Sequence, residues 1–451
     1  MDITRGIARN VAASTIDAFP DEVVAYAKTL TMSAFGAMVA GGTCTGSDIV
    51  TRYVKRAGGT PEATVFGEDV RLPVEMAAFA NATYAHATEY EDDSFPEAVS
   101  SYTIVPVAVA LGEQLGSSGR DVLAAFVAGY ETQARIGLAC REARRLGYMV
   151  LSLAGSIGCA ATAARLFGLD AERTANALSI AASQASGVGY QTGTMAHIVE
   201  MGFSARNGLT AALLARDGFT GQPDVLEAPR GLFAMITAGK IEAPERILAD
   251  WGRPYRILEV GIKEFPCCYH LQRIIETTME LRSEGIAAAD VERVEVEVNA
   301  FFPTVVQHLE PHDELQAQFS LPHAVAAAFL DPRVLPASFA RERIEDPAVR
   351  DFRSRVAMVV REDWGWAPTG WTPRLTYRLR DGRVIVREPP GSRGQPPNLL
   401  SFDEAIPKYR GCVEGRIAEE SIVESLAILR DLERCADVSA LARAVSRPGF
   451  R

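Results

Sequence analysis

The chain has 451 residues, with 46 Lys plus Arg against 57 Asp plus Glu, a formal net charge of −11. That acidic balance, without a Lys/Arg-rich run, argues against a nucleic-acid partner or an anionic membrane surface, though a pocket on an acidic protein can still be locally cationic. The mix of 48% hydrophobic and 23% charged residues is that of a soluble globular protein, long enough for one large domain or two.

The first residues, MDITRGIAR, lack the apolar core of a signal peptide. Apolar stretches such as 105–111 fall far short of the roughly 20 residues of a membrane helix. Seven cysteines are scattered, an odd count without a Cys-x-x-Cys, which favours a reducing cytoplasm and gives no zinc signature. The adjacent pair Cys267 and Cys268 reads as packing or site lining.

The first 260 residues read as successive helices. Thr60-Pro61 has the form of a helix start, although 64–67 suggests a turn. Residues 73–88 are alanine-rich, with Met76, Phe79, Ala80 and Tyr84 near helical spacing. Asp121 is expected to cap the helix that follows it. Similar patterns run over 158–167, over 171–186 after Asp170, and over 203–216. The alanines and glycines, including Gly155 and Gly158, predict close helix–helix packing rather than a nucleotide loop.

Past Pro266 the period changes. Residues 291–298 alternate apolar and charged side chains, as in a half-buried strand, and 355–360 reads as a second strand. Two further strands at 375–379 and 384–386 flank the turn pair Asp381-Gly382. Residues 321–330 form a buried helix, 389–400 a Pro/Gly-rich linker, and 414–444 an amphipathic helix. The expected fold is mainly α with an α+β lid: a large helical domain of 1–263 and 397–451, with an inserted α+β domain of 264–396.

Generic chemical motifs are few. His308 and His312 have metal-like spacing, but Pro311 breaks the helix that would align them, so a surface loop is expected. The group Trp364, Trp366 and Trp371 reads as core or lid surface. The run from His86 to Ser94 places Glu89, Glu91, Asp92 and Asp93 within five residues. Such a run is a solvated turn or, if buried, a set of carboxylates whose pKa values are raised by crowding into the range of a useful acid or base.

Taken in order, several segments resemble the MmgE/PrpD family, which includes 2-methylcitrate dehydratase, cis-aconitate decarboxylase and iminodisuccinate epimerase. They are 58–67 (GGTPEATVFG), 77–81 (AAFAN), the acidic run, 160–170 (AATAARLFGLD), 183–187 (SQASG), 211–221 (AALLARDGFTG), 263–268 (KEFPCC) and 317–328 (AQFSLPHAVAAA). The resemblance implies a helical domain with an α+β lid, a site between domains, a homodimer, a small-molecule substrate, and proton chemistry near a carboxylate without cofactor or metal. It assigns Glu89, Asp93, His197 and Lys263 to catalysis. Asp92, Tyr148, Met149, Glu200, His270 and Ser320 are assigned to substrate binding.

Of the family's basic positions, only Lys263 matches outright. Histidines of the pattern fall at Val99, Met149, Glu200 and Gln272, with His270 two residues away, and a lysine falls at His197. Fewer cations and an added carboxylate disfavour a tri-anionic substrate. His197 and Lys263 can act as a two-base pair suited to epimerisation or isomerisation. Dehydration or decarboxylation is the alternative, and a non-catalytic binding protein the third. If neither residue takes part in chemistry, His197 caps a helix and Lys263 pairs with Glu264 or the acidic run.

Overall fold

The computed structural model describes residues 2–68 and 70–445. The chain divides into two compact units, one of Met1–Tyr190, Ile198–Ile262 and Leu400–Arg451, the other of Gln191–His197 and Lys263–Leu399. The protein is mainly α, with a smaller α+β part.

The first unit is built around the helix Asp21–Gly41, opened by Pro20 and by Asp21 and Glu22 in its first turn, where carboxylates complement the free amides. By length and composition this helix is apolar enough to cross a membrane, yet 83% of its apolar window is buried inside the protein. It packs against the helices Val74–Ala87, Ser101–Leu115 and Phe402–Val413. Small residues allow that approach: a Cβ on Gly36 would stand 2.9 Å from the Tyr409 ring. Gly158 serves the same end between Gly119–Ala139 and Val150–Leu166, where an added Cβ would meet Gln133 at 2.8 Å and the Gly129 carbonyl at 2.9 Å. Gly158 is thus a packing residue, as its setting predicts.

Three local expectations change. No helix starts at Thr60-Pro61: Gly58 and Gly59 hold φ of 61° and 118°, and Ala63–Val65 forms strand β1, paired antiparallel with β2 (Val70–Leu72). The buried Glu113 carboxylate pins β1 by accepting from the Thr64 amide at 2.9 Å and its hydroxyl at 2.8 Å. Ser118, not Asp121, caps Gly119–Ala139; Asp121 lies in the first turn and takes the Ser118 hydroxyl at 2.6 Å. The expected single helix at 414–444 is divided into Glu419–Arg430, the short 3-10 turn Leu432–Arg434 and Ser439–Val445, and Gly415 with φ 75° sets it off from the preceding helix Phe402–Val413. Residues 446–451 of the expected helical domain lie outside the described residues.

A short ladder joins strand β3 (Asp92–Ser94) to β4 (Val260–Ile262), with Asp92 opposite Ile262, Asp93 opposite Gly261 and Ser94 opposite Val260. It brings the acidic run into register with a segment more than 160 residues away in the chain.

The second unit carries a sheet of order β6-β5-β7-β8, formed by Val356–Arg361, Val291–Asn299, Arg374–Leu379 and Val384–Arg387. In β5 the valines at 291, 294, 296 and 298 are buried, the one-sided burial that its alternation predicts. β6 runs parallel to β5, which requires a long crossover; that connection contains the buried helix Leu321–Leu330. β7 and β8 form the antiparallel hairpin, turning at Gly382 with φ 88°.

His323 lies wholly inside this unit. Its Nε2 donates to the Ser338 carbonyl at 2.8 Å, and burial pulls its pKa down from 6.5 to about 4. A neutral histidine in the folded state that charges on unfolding contributes stability above pH 6.5, lost as pH falls through about 4. Acid denaturation followed by circular dichroism should therefore show a loss of about 3 kcal/mol at most over that window. His323→Asn should flatten that slope, and an unchanged slope in the variant would refute the assignment.

Candidate functional site

The acidic run begins where Val74–Ala87 ends. Glu89 turns the chain with φ 48°, a left-handed conformation that an L-residue holds only when its surroundings impose it. Its amide closes on the His86 carbonyl at 3.0 Å. Glu89, Glu91, Asp92 and Asp93 are all buried, so the solvated-turn reading does not hold.

Asp92 is held by donors at the start of Ser101–Leu115. Its carboxylate accepts from the Ser100 hydroxyl at 2.9 Å, the Ser101 amide at 2.7 Å and the Ser101 hydroxyl. Burial pushes its pKa up, while these donors and Lys408 pull it back. The Lys408 ammonium donates to the Tyr90 carbonyl at 2.6 Å and lies 4.4 Å from the centre of the Tyr90 ring. Tyr90 and Asp92 therefore face Lys408. Within the strand, Asp93 points to the opposite side from Asp92.

Asp93 has its own cation. Arg144, on the short helix Arg141–Arg145, is half-buried as a residue, and its charged end is the desolvated part. Burial pulls its pKa down to about 10, and Asp93 counters that shift. Its guanidinium lies 5.0 Å over the Phe95 ring. Beyond β3, the Ser94 amide donates to the Val99 carbonyl at 3.0 Å. The Val99 side chain is buried against Gly137.

Tyr148, Met149 and Glu200 form a second group in the first unit. Tyr148 bridges to Val188, and the Met149 amide donates to the Gly187 carbonyl at 3.1 Å. Glu200, on the helix Met195–Arg216, accepts the Val188 amide at 2.8 Å. It thereby ties residues 187–189 into the arrangement.

The remaining candidates belong to the second unit. Lys263 is buried. Gln272 staples the segment after it, accepting from the amides of Glu264 at 3.0 Å and Phe265 at 2.9 Å, and donating to the carbonyls of Phe265 at 2.9 Å and Cys267 at 3.1 Å. Cys267 and Cys268 are buried thiols, not joined in a disulfide. His270 meets Phe301 edge-on at 5.3 Å, and His197 meets Phe319 likewise at 5.5 Å. Ser320 caps Leu321–Leu330 by accepting the His323 amide at 3.4 Å.

The structure thus gathers Glu89, Asp92 and Asp93 in one place and Tyr148, Met149 and Glu200 in another, both in the first unit. Lys263, His197, His270 and Ser320 fall in the second. Two cations escaped the sequence reading. Arg144 sits in a charged run, REARR, with nothing to mark it. Lys408 had a signal: Ala405, Lys408, Tyr409 and Cys412 share the buried stripe of their helix, and a lysine on such a stripe needs a buried acceptor.

Removing the Asp92 carboxylate would strand one amide and two hydroxyls in the interior. Asp92→Ala is expected to lower unfolding stability by about 1–3 kcal/mol or more, read from urea denaturation. A variant as stable as the native chain would remove Asp92 from this anchoring role.

Residues 5–244 match the MmgE/PrpD N-terminal domain, and residues 265–433 match the MmgE/PrpD C-terminal domain. Similar proteins include cis-aconitate decarboxylase of Homo sapiens, 26% identical over 99% of this chain and 95% of that protein. The Mus musculus enzyme of the same name is 24% identical over 100% and 94% respectively, and that of Aspergillus terreus 27% over 85% and 84%. With both domains matched in order, the chain belongs to the MmgE/PrpD family.

Proposed function

We propose that this chain is a lyase that works without an organic cofactor, moving a proton next to a carboxylate of a small organic acid and releasing carbon dioxide or water. The observation that carries the reading is the buried acidic turn, with Asp93 facing Arg144 while Asp92 is engaged as an anchor. Carboxylates withheld from bulk water are better bases than free ones, and a desolvated cation beside them can meet an anionic substrate. The near-full-length similarity to proteins named cis-aconitate decarboxylase supports the lyase outcome. Lys263 and His197 are the proposed proton carriers, with Glu89 and Asp93 as the accompanying carboxylates.

A second reading, isomerase or epimerase chemistry, is favoured by the replaced positions. Val99 is packed in the core and Gln272 is committed to backbone hydrogen bonds, so steps that use a histidine at either place are not open to this chain. Removal and return of a proton by two bases needs neither.

Incubation with a panel of unsaturated, hydroxy and amino di- and tricarboxylates in heavy water, cis-aconitate among them, separates the readings by proton NMR. Loss of carbon dioxide or water supports the lyase. Deuterium entering a carbon next to a carboxylate without elimination supports the isomerase. No exchange, with thermal stabilisation by a ligand, would point to a binding protein. Lys263→Ala should lower turnover by about 100-fold or more with its melting temperature retained, and native-like turnover would overturn the role given to Lys263.

A further inference from the structure

We propose that Lys408 is a positioning residue for the acidic turn: by holding the Tyr90 carbonyl it fixes the peptide between Tyr90 and Glu91, and so the directions of Glu89 and Glu91 on either side. The inference deepens the proton-transfer reading above and rests on it for its functional consequence, while its structural content stands separately.

Tyr90 lies between two buried glutamates. Its carbonyl takes the Lys408 ammonium at 2.6 Å and the Tyr102 hydroxyl at 3.1 Å. Tyr102 has a single proton to give, and the Ser33 carbonyl, at 3.0 Å, competes for it. Lys408 is therefore the constant donor and Tyr102 a shared one. The ammonium also lies 4.4 Å from the Tyr90 ring centre and 5.9 Å from that of Tyr102, so the ring and the carbonyl of one residue are gripped together.

The residue before it, Glu89, has φ 48°, which local preference does not maintain. A chain turned at a strained residue needs a hold close beyond the turn: the Thr88 hydroxyl accepts the Tyr90 amide at 3.2 Å, and Lys408 holds the Tyr90 carbonyl. The hold comes from 318 residues further along, on a helix packed against Asp21–Gly41. The helix face that carries Lys408 is otherwise small or apolar, with Ala405 and Cys412 on the same stripe. For packing alone a methionine would serve there; the charge meets the Tyr90 carbonyl and ring and also acts on buried Asp92.

The test compares the full-length native chain with Lys408→Met, which keeps the stem and removes the ammonium, by hydrogen–deuterium exchange and steady-state kinetics. Peptides covering 88–94 should exchange about tenfold faster or more, with peptides from Gly119–Ala139 unchanged. An unchanged rate at 88–94, or a rise spread evenly over the helices, overturns the proposal, because a merely stabilising lysine would give one of these. On the substrate found with the native enzyme, kcat should fall about tenfold with KM nearly constant, since misplaced groups weaken the chemical step more than binding. An unchanged kcat also overturns it. If the native chain turns over nothing in the panel, the functional reading fails, and the exchange result alone decides the positioning. Should Lys408→Met not fold, Lys408→Arg, which swaps a point donor for a planar fork, is measured the same way. A local rise at 88–94 in that variant supports the proposal, and its absence overturns it.

Discussion

Four carboxylates buried within five residues are the constraint that organises the first unit. A carboxylate taken out of water must find donors or a cation, or lose its charge. No local conformation of residues 89–93 supplies enough of either, so the partners come from elsewhere. Ser100 and Ser101 are near in sequence, Arg144 stands on a separate short helix, β4 arrives from residues 260–262, and Lys408 comes from the C-terminal helices. The native geometry of the turn therefore rests on contacts from several distant parts of the helical unit. The dependence also runs the other way, because Asp92 occupies the amide end of Ser101–Leu115 and Lys408 ties the Phe402–Val413 helix to the turn.

Different partners turn that crowding into a division of labour. Tyr90 and Asp92 face Lys408 and the serines, and serve as anchors. Asp93, the next strand position, is met by the charge of Arg144. A run of acidic residues that looks uniform in the sequence contains carboxylates with different partners, Asp92 on the serines and Asp93 with Arg144.

What could be read in advance follows from where the determining physics lies. The valine periodicity of 291–298, the Asp381-Gly382 turn and the glycine packing at Gly158 express interactions set by neighbours along the chain or by a missing side chain, and the structure has all three. Thr60-Pro61 misleads because two glycines in left-handed backbone precede it and the distant Glu113 holds the next segment extended. Asp121 misleads because Ser118, three residues earlier, takes the capping role and Asp121 the first-turn role. The acidic turn was visible as a composition, but its burial was not. The turn's partners Arg144 and Lys408 stand far along the chain, and although the buried stripe of Lys408 marks the need for an acceptor, nothing near either names Asp93 or Tyr90 as the partner.

The family positions that lack their histidine are not vacancies. Gln272 makes four hydrogen bonds to the backbone of 264–267, two as acceptor and two as donor. An imidazole, with two ring nitrogens, cannot make that set. Glu200 receives the Val188 amide and so helps seat the segment against Met149. Val99 closes the loop that returns from β3 and fills the space beside Gly137. A count of charges made only at these positions gives a pocket stripped of cations. Outside the motif, two cations lie at the acidic turn itself, the Arg144 guanidinium whose charge Asp93 meets and the Lys408 ammonium on the Tyr90 carbonyl. The charge of such a site follows from which helices reach it, and an overall balance of −11 is compatible with cations placed one by one against the carboxylates that need them.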